Sequence, residues 1–101
     1  PLWLSPVQVR ILTVADRFND YAHKIRQQYA EAGIRVEVDE KAESVPYKVR
    51  EAELDKVNYI IVVGEKEVAV GTVTVRKGKE QFTIDSSEFL RRIVEEMKDR
   101  I

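Results

Sequence analysis

The sequence predicts a single α/β domain built on a mixed sheet, and three features carry that expectation. Strand-like and helix-like runs alternate through the first two thirds of the chain. Tyr59-Ile60-Ile61-Val62-Val63 is a continuous, mostly β-branched run of the kind that fills a central strand covered on both faces. Phe89, Leu90, Ile93, Val94, Met97 and Ile101 recur at helical spacing, so the chain closes with a helix that packs lengthwise on the sheet.

The elements follow in order. From Val7 to Val14, alternating Val7, Val9 and Ile11 give way to Leu12 and Val14, a strand buried on both faces at its far end. Asp16 is expected to cap a helix whose core face is Phe18, Tyr21, Ala22, Ile25, Tyr29 and Ala32, with Gly33 ending it. Ile34, Val36 and Val38 form a short second strand, followed by a charged loop over Asp39 to Glu43. Ser44 caps a second helix running to about Val57, with Pro46 tolerated in its first turn. After the central strand and Gly64, the valines at 68, 70, 73 and 75 change parity at Gly71, which places a turn or bulge there and a strand over Thr72 to Arg76. Gly78 supplies a hairpin turn into Gln81 to Ile84, and Asp85 with Glu88 makes a capping-box pattern for the last helix. The order β-α-β-α-β-β-β-α implies right-handed crossovers joining three parallel strands, with a meander closing one edge.

Length and composition bound what such a domain does. A chain of 101 residues has room for one core, and burying roughly 60–65% of its unfolded surface suffices for a cooperative fold without staples. The absence of cysteine removes disulfides, thiolate nucleophiles and Cys-type zinc sites together. The longest apolar run falls far short of the ~20 residues needed to span a bilayer, so a soluble, membrane-free protein is expected. A start at Pro1 reads as a piece excised from a longer chain, or as a processed N-terminus. The net charge of −1 argues against a dedicated duplex binder, and DNA is not expected as a partner. Arg76-Lys77-Gly78-Lys79 is a basic run that reads either as a solvated hairpin turn or as a local positive patch.

Catalytic chemistry is not legible. His23 lies off the apolar stripe of the first helix, with no pairing that suggests a triad. Glu51, Glu53 and Asp55 sit among basic residues, as on a solvated helix face. The four glycines at 33, 64, 71 and 78 are spread singly at element ends, so no phosphate-cradling loop exists. The expected catalytic set and metal set are both empty.

Ordered segments then carry a resemblance. Trp3-Leu4-Ser5-Pro6-Val7-Gln8-Val9, Tyr47-Lys48-Val49-Arg50-Glu51, Val62-Val63-Gly64-Glu65-Lys66-Glu67 and Gly71-Thr72-Val73-Thr74-Val75-Arg76 resemble the C-terminal anticodon-binding domain of threonyl-tRNA synthetase, a class IIa family, over nearly the whole chain. The region around Ala42 is closer to archaeal-type members, since many bacterial members carry there an asparagine that contacts the anticodon. The resemblance implies a three-layer α/β/α fold with three helices, strand order 2-1-3-4-5 and the fourth strand antiparallel, spanning residues 1–101 as one domain. It also implies a cytoplasmic parent, a homodimer, whose separate catalytic domain uses ATP and zinc while this domain needs no cofactor.

The implied task is to bind threonine tRNA through anticodons whose second and third bases are guanine and uracil. The family's base-reading acid and arginine match Glu67 and Arg76. A carboxylate accepts from guanine N1–H and the exocyclic amine, and a guanidinium donates to O6 and N7. Lys48 and Arg50 match positions for phosphate or the neighbouring base, and Lys77 and Lys79 would add a salt-sensitive contribution. Each residue also has a purely structural use: Arg50 pairing along its helix, Glu67 stabilising a turn, Arg76 as an ordinary hairpin charge. Trp3 reads as a packed anchor against an upstream domain. Two other readings use the same fold: a protein-interaction or dimerisation module, and the anticodon domain of a prolyl-, histidyl- or glycyl-tRNA synthetase.

Overall fold

The computed structural model describes residues 8–40, 44–77 and 80–98. Strand β1 (Val9–Thr13) is buried along its whole length, as its apolar residues require. It pairs in parallel with β2 (Val36–Asp39) on one side and β3 (Tyr59–Val63) on the other. β4 (Thr72–Lys77) runs antiparallel to β3, and β5 (Glu80–Asp85) antiparallel to β4. The order is β2-β1-β3-β4-β5, as expected, with the fourth strand reversed.

Because paired residues on neighbouring strands share a face, the registers divide the sheet cleanly. Val9, Ile11, Ile61, Val63, Val73 and Val75 point to one side, where α1 (Asn19–Glu31) and α4 (Ser86–Lys98) cover them with Ala22, Ile25, Tyr29, Phe89 and Ile93. Phe89 is the keystone of that layer, edge-on to Tyr59 with ring centroids 5.3 Å apart and tilted against Tyr29 at 6.4 Å. Burial of one such side chain contributes about 1.5–3 kcal/mol. Leu12, Ile60 and Val62 point to the other side, beneath Val49 and Ala52 of α2 (Val45–Leu54). The result is the expected α/β/α sandwich.

Four local details depart from or refine the expectation. Asp16 does not cap α1; it starts a single 3-10 turn, Asp16–Phe18, whose preceding residue Ala15 offers no side-chain cap, and α1 begins three residues later. β1 stops at Thr13, leaving Val14 half exposed. α2 stops at Leu54, short of Val57, because Lys56 takes a left-handed conformation (φ 59°). The amides of Lys56 and Val57 then close onto the carbonyls of Glu53 and Ala52, a Schellman ending sealed by Val57 packing on the α2 core. Finally, Glu65–Val70 is a short helix, α3, so three long helices are joined by a fourth of six residues. The parity break at Gly71 is real, since that residue ends α3 at φ +75°.

Two caps were correctly legible. Ser44 Oγ accepts the Tyr47 amide at 3.3 Å, and Asp85 Oδ2 accepts the amides of Ser87 and Glu88 at 3.0 and 3.3 Å. The Gly78 turn, Trp3 and Ala42 lie outside the described residues.

Candidate functional site

α2 covers its side of the sheet over β1 and β3, so the same side of β4 and β5 lies outside its cover, and the short helix α3 meets β4 at one end of it. The residues there are all polar: Thr72, Thr74 and Arg76 on β4, half-buried, and Gln81, Thr83 and Asp85 on β5, exposed. A sheet that turned apolar residues outward here would aggregate, so this polarity is what lets the surface stay open.

Glu67 reaches this face from α3. Its Oε1 accepts the Gly64 amide at 2.7 Å, the half of a capping box that a glycine N-cap can join. Its Oε2 accepts from Thr74 Oγ1 at 3.3 Å, and Thr74 Oγ1 in turn lies 3.3 Å from Thr83 Oγ1. A carboxylate has about four lone-pair sites, so two such bonds fix its position and leave acceptor capacity facing outward. Arg76 follows Thr74 on the same side of β4, roughly 7 Å farther along the strand. Among the described residues no hydrogen bond or ion pair ties its guanidinium. The open face therefore has an acceptor at one end and a donor-only fork near the other. Glu67 and Asp85 also make the first end electronegative: together with burial, the largest effect, they push the Tyr21 hydroxyl above its ordinary pKa.

The structure distributes the other expected residues. Lys48 is buried, with Nζ 3.4 Å from the Thr13 carbonyl and 3.5 Å from that of Asp39, bridging the C-terminal ends of β1 and β2. Helical spacing of 3.6 residues puts Arg50 about 200° round α2 from Lys48, exposed and turned away from the sheet-facing stripe. Arg76 and Lys77 are consecutive and so point to opposite sides of the sheet. Lys77 Nζ sits 4.8 Å above the Tyr59 ring and 3.3 Å from its hydroxyl, while the hydroxyl donates to Glu96 Oε1 at 2.5 Å. The basic run is thus split across two faces. Lys79 lies outside the described residues.

A second concavity, of about 270 Å³, is lined by Arg10, Glu37, Val38, Asp39, Glu40 and Asp55. Arg10 fills its floor with ion pairs to Glu37 at 2.5 Å and Asp55 at 2.9 Å, the latter at the C-terminus of α2, where a cation is favoured. Burial works against its charge, but the bonds to Asp55 and Glu37 outweigh it and hold the guanidinium pKa above its ordinary value. His23 pairs with Glu40 on the outside of the molecule. Neither group shows a nucleophile beside a base, and no cluster of three His, Cys, Asp or Glu side chains arranged for a metal exists among the described residues. No described helix is long and apolar enough to cross a membrane.

Sequence reasoning missed Gln81 and Thr83 as members of the open face, although the alternation of Phe82 and Ile84 with polar neighbours contained the signal.

Comparison with known proteins bears on this geometry. Residues 8–96 match the family model described as an anticodon binding domain. The threonine–tRNA ligase of Clostridioides difficile strain 630 is 48% identical over 103 residues, covering 99% of this chain and 16% of that protein. The chain thus spans about one sixth of the length of the curated relatives it matches. The RNA-binding domain of threonyl-tRNA synthetase from Cryptosporidium parvum Iowa II superposes with a TM-score of 0.86 at 28% identity, over 91% of this chain and 24% of that one. Prolyl-tRNA synthetase from Cryptosporidium parvum reaches 0.84 at 23% identity, over 99% of this chain and 24% of that one, a likeness of fold alone.

Proposed function

The chain belongs to the anticodon-binding domain family, and from that premise we propose that it reads the anticodon loop of threonine tRNA for a threonyl-tRNA synthetase. The observation that carries the reading is the placement of Glu67 and Arg76 on one uncovered polar face, bridged by Thr74. Single-stranded bases splayed from a loop expose their hydrogen-bonding edges, and a guanine has donors on one edge and acceptors on the next. Glu67 meets N1–H and the exocyclic amine and Arg76 meets O6 and N7, as for a purine laid along β4. A bidentate contact of this kind discriminates by about 1–3 kcal/mol per base. Arg50, exposed on α2, serves the loop phosphates, which position without specifying.

The chain spans about one sixth of the length of the relatives it matches, so in this reading threonine ligation falls to a catalytic domain elsewhere in the parent. The same reading makes that parent a cytoplasmic homodimer that uses ATP and zinc, with tRNA as the shared partner of both parts.

Binding of the chain to matched anticodon stem-loops, with and without the middle guanine, tests the proposal. Wild type is expected to prefer guanine, and both Glu67→Gln and Arg76→Ala to lose the preference. Glutamine keeps an acceptor for Gly64 but presents an amide donor where a carboxylate oxygen stood, so the fold survives while the guanine amine is repelled. Equal loss of affinity for every sequence would make Arg76 a phosphate contact and Glu67 a structural group, and sink the base-reading role.

A further inference from the structure

One side chain on the open face remains unused by the guanine. Gln81 stands directly opposite Arg76 in the β4–β5 register, and it is exposed. Paired Cβ atoms across antiparallel strands lie about 5 Å apart, so Gln81 is one strand away from the line joining Glu67 to Arg76, outside the footprint of a purine laid along β4. Its neighbour on the same side of β5, Thr83, already shares its hydroxyl with Thr74. Arg76 and Lys77 have donors only. Among the described residues, Gln81 is thus a side chain at this end of the face that brings both a donor and an acceptor to the nucleotide beside the guanine.

We propose that Gln81 is a further specificity-determining residue, whose side-chain amide reads the uracil that follows the guanine. The inference rests on the anticodon reading above and extends it to a second base. Uracil presents a donor, N3–H, between two carbonyl acceptors, and an amide pairs with it bidentately: Oε1 accepts from N3–H while Nε2 donates to an adjacent carbonyl. Cytosine has an acceptor at N3 and a donor on one side only, so it suits the amide in a single orientation. The positive guanidinium across the strand pair favours the amide orientation with Oε1 on its own side, in which Oε1 meets uracil N3–H; cytosine in the same pose needs the amide reversed. Thr83, already bonded, and Arg76, lacking an acceptor, do not offer this pattern.

The test compares stem-loops carrying uracil, cytosine or N3-methyluracil at this position, each with guanine retained before it, and one uracil loop with that guanine replaced. Wild type is expected to favour uracil over both substitutes by roughly ten- to a hundredfold. In Gln81→Ala that preference falls to near parity while guanine discrimination persists, and Gln81→Glu, which has no amide donor, behaves the same way. Because Gln81 is exposed, both variants are expected to melt with wild type, which separates lost recognition from lost folding. Undiminished uracil preference in Gln81→Ala, or no preference in wild type that still selects guanine, overturns the role of Gln81. A wild type indifferent to the guanine as well overturns the anticodon reading, and the role of Gln81 falls with it.

Discussion

Thr74 Oγ1 donates to Glu67 Oε2 at 3.3 Å, and this contact fastens helix α3 to the strand that also carries Arg76. A carboxylate on a six-residue helix is otherwise free to swing, since short helices have little rigidity of their own. Replacing Thr74 with valine preserves shape and β-branching but deletes the donor. Stability is expected to fall by no more than about 0.5–1.5 kcal/mol, as for a partly exposed hydrogen bond. Guanine discrimination should fall severalfold, while affinity for loops lacking the guanine stays level. Parallel measurement of melting and of both affinities checks this; an unchanged guanine preference would show that Glu67 needs no such tether.

The two glycines bounding α3 should respond differently to alanine. Gly71 adopts φ +75°, with open space where a methyl group would project, so Gly71→Ala incurs backbone strain of roughly 1–2 kcal/mol and no clash. Gly64 has an extended φ of −144°, which any residue adopts. A methyl there meets Val14 Cγ2 at 3.1 Å and Glu67 Oε1 at 3.4 Å, and Val14 is exposed enough to yield. Gly64→Ala is therefore expected to cost less than about 1 kcal/mol while crowding the Glu67 carboxylate and blunting guanine selection. Chemical denaturation and stem-loop binding of the two variants should thus give opposite rankings.

What the sequence disclosed follows from where burial dominates. β1, β3 and α4 are continuous or periodic apolar runs, and a run with one buried pattern has few alternatives, so these elements, their order and the sheet's two covered sides were legible. α3 was not, because Val68 and Val70 alternate like a strand and are exposed, so no apolar stripe marks a helix there. Asp16 misled for a related reason: its side chain suits a cap, but the register of Phe18 in the core shifts the helix start onward. At the site, Glu67 and Arg76 were named through ordered motifs, and their common face was not, since it depends on the short helix. Gln81 escaped because an exposed glutamine in a hairpin has no signature until the register sets it opposite an arginine. The fate of Lys48 was equally hidden, for only the packed fold shows two strand-end carbonyls above α2.

Alkaline pH is expected to loosen the α1–α4 layer. Burial, above all, raises the pKa of Tyr29 and Tyr59 beyond the ordinary tyrosine value, and Glu96 adds to the effect at Tyr59. Above a pH of about 10 the unfolded chain loses these protons while the folded chain keeps them. The folded state then binds more protons, so stability is full below about pH 10 and declines as pH rises beyond it. Thermal melts between pH 8 and 11 should show this decline, and Tyr59→Phe should flatten it while removing the bond to Glu96. A melting temperature that holds level to pH 11 would contradict the burial of these hydroxyls.

Lys48 and Arg50, two residues apart on α2, should separate structure from electrostatics. Lys48→Met keeps the length and the apolar stem but leaves the carbonyls of Thr13 and Asp39 without their shared donor. Buried acceptors that lose a partner cost about 1–3 kcal/mol, so this variant should melt earlier and bind every stem-loop less tightly, with its guanine preference intact. Arg50 is exposed, and Arg50→Ala should change stability by less than about 0.5 kcal/mol. Its effect belongs instead to the salt dependence: removing one phosphate contact lowers the slope of log affinity against log salt by about 0.7 for single-stranded nucleic acid. Titrations at three or more salt concentrations decide the matter. An unchanged slope in Arg50→Ala would remove that side chain from the interface, and an unchanged melting temperature in Lys48→Met would return Lys48 to the groups available for phosphate.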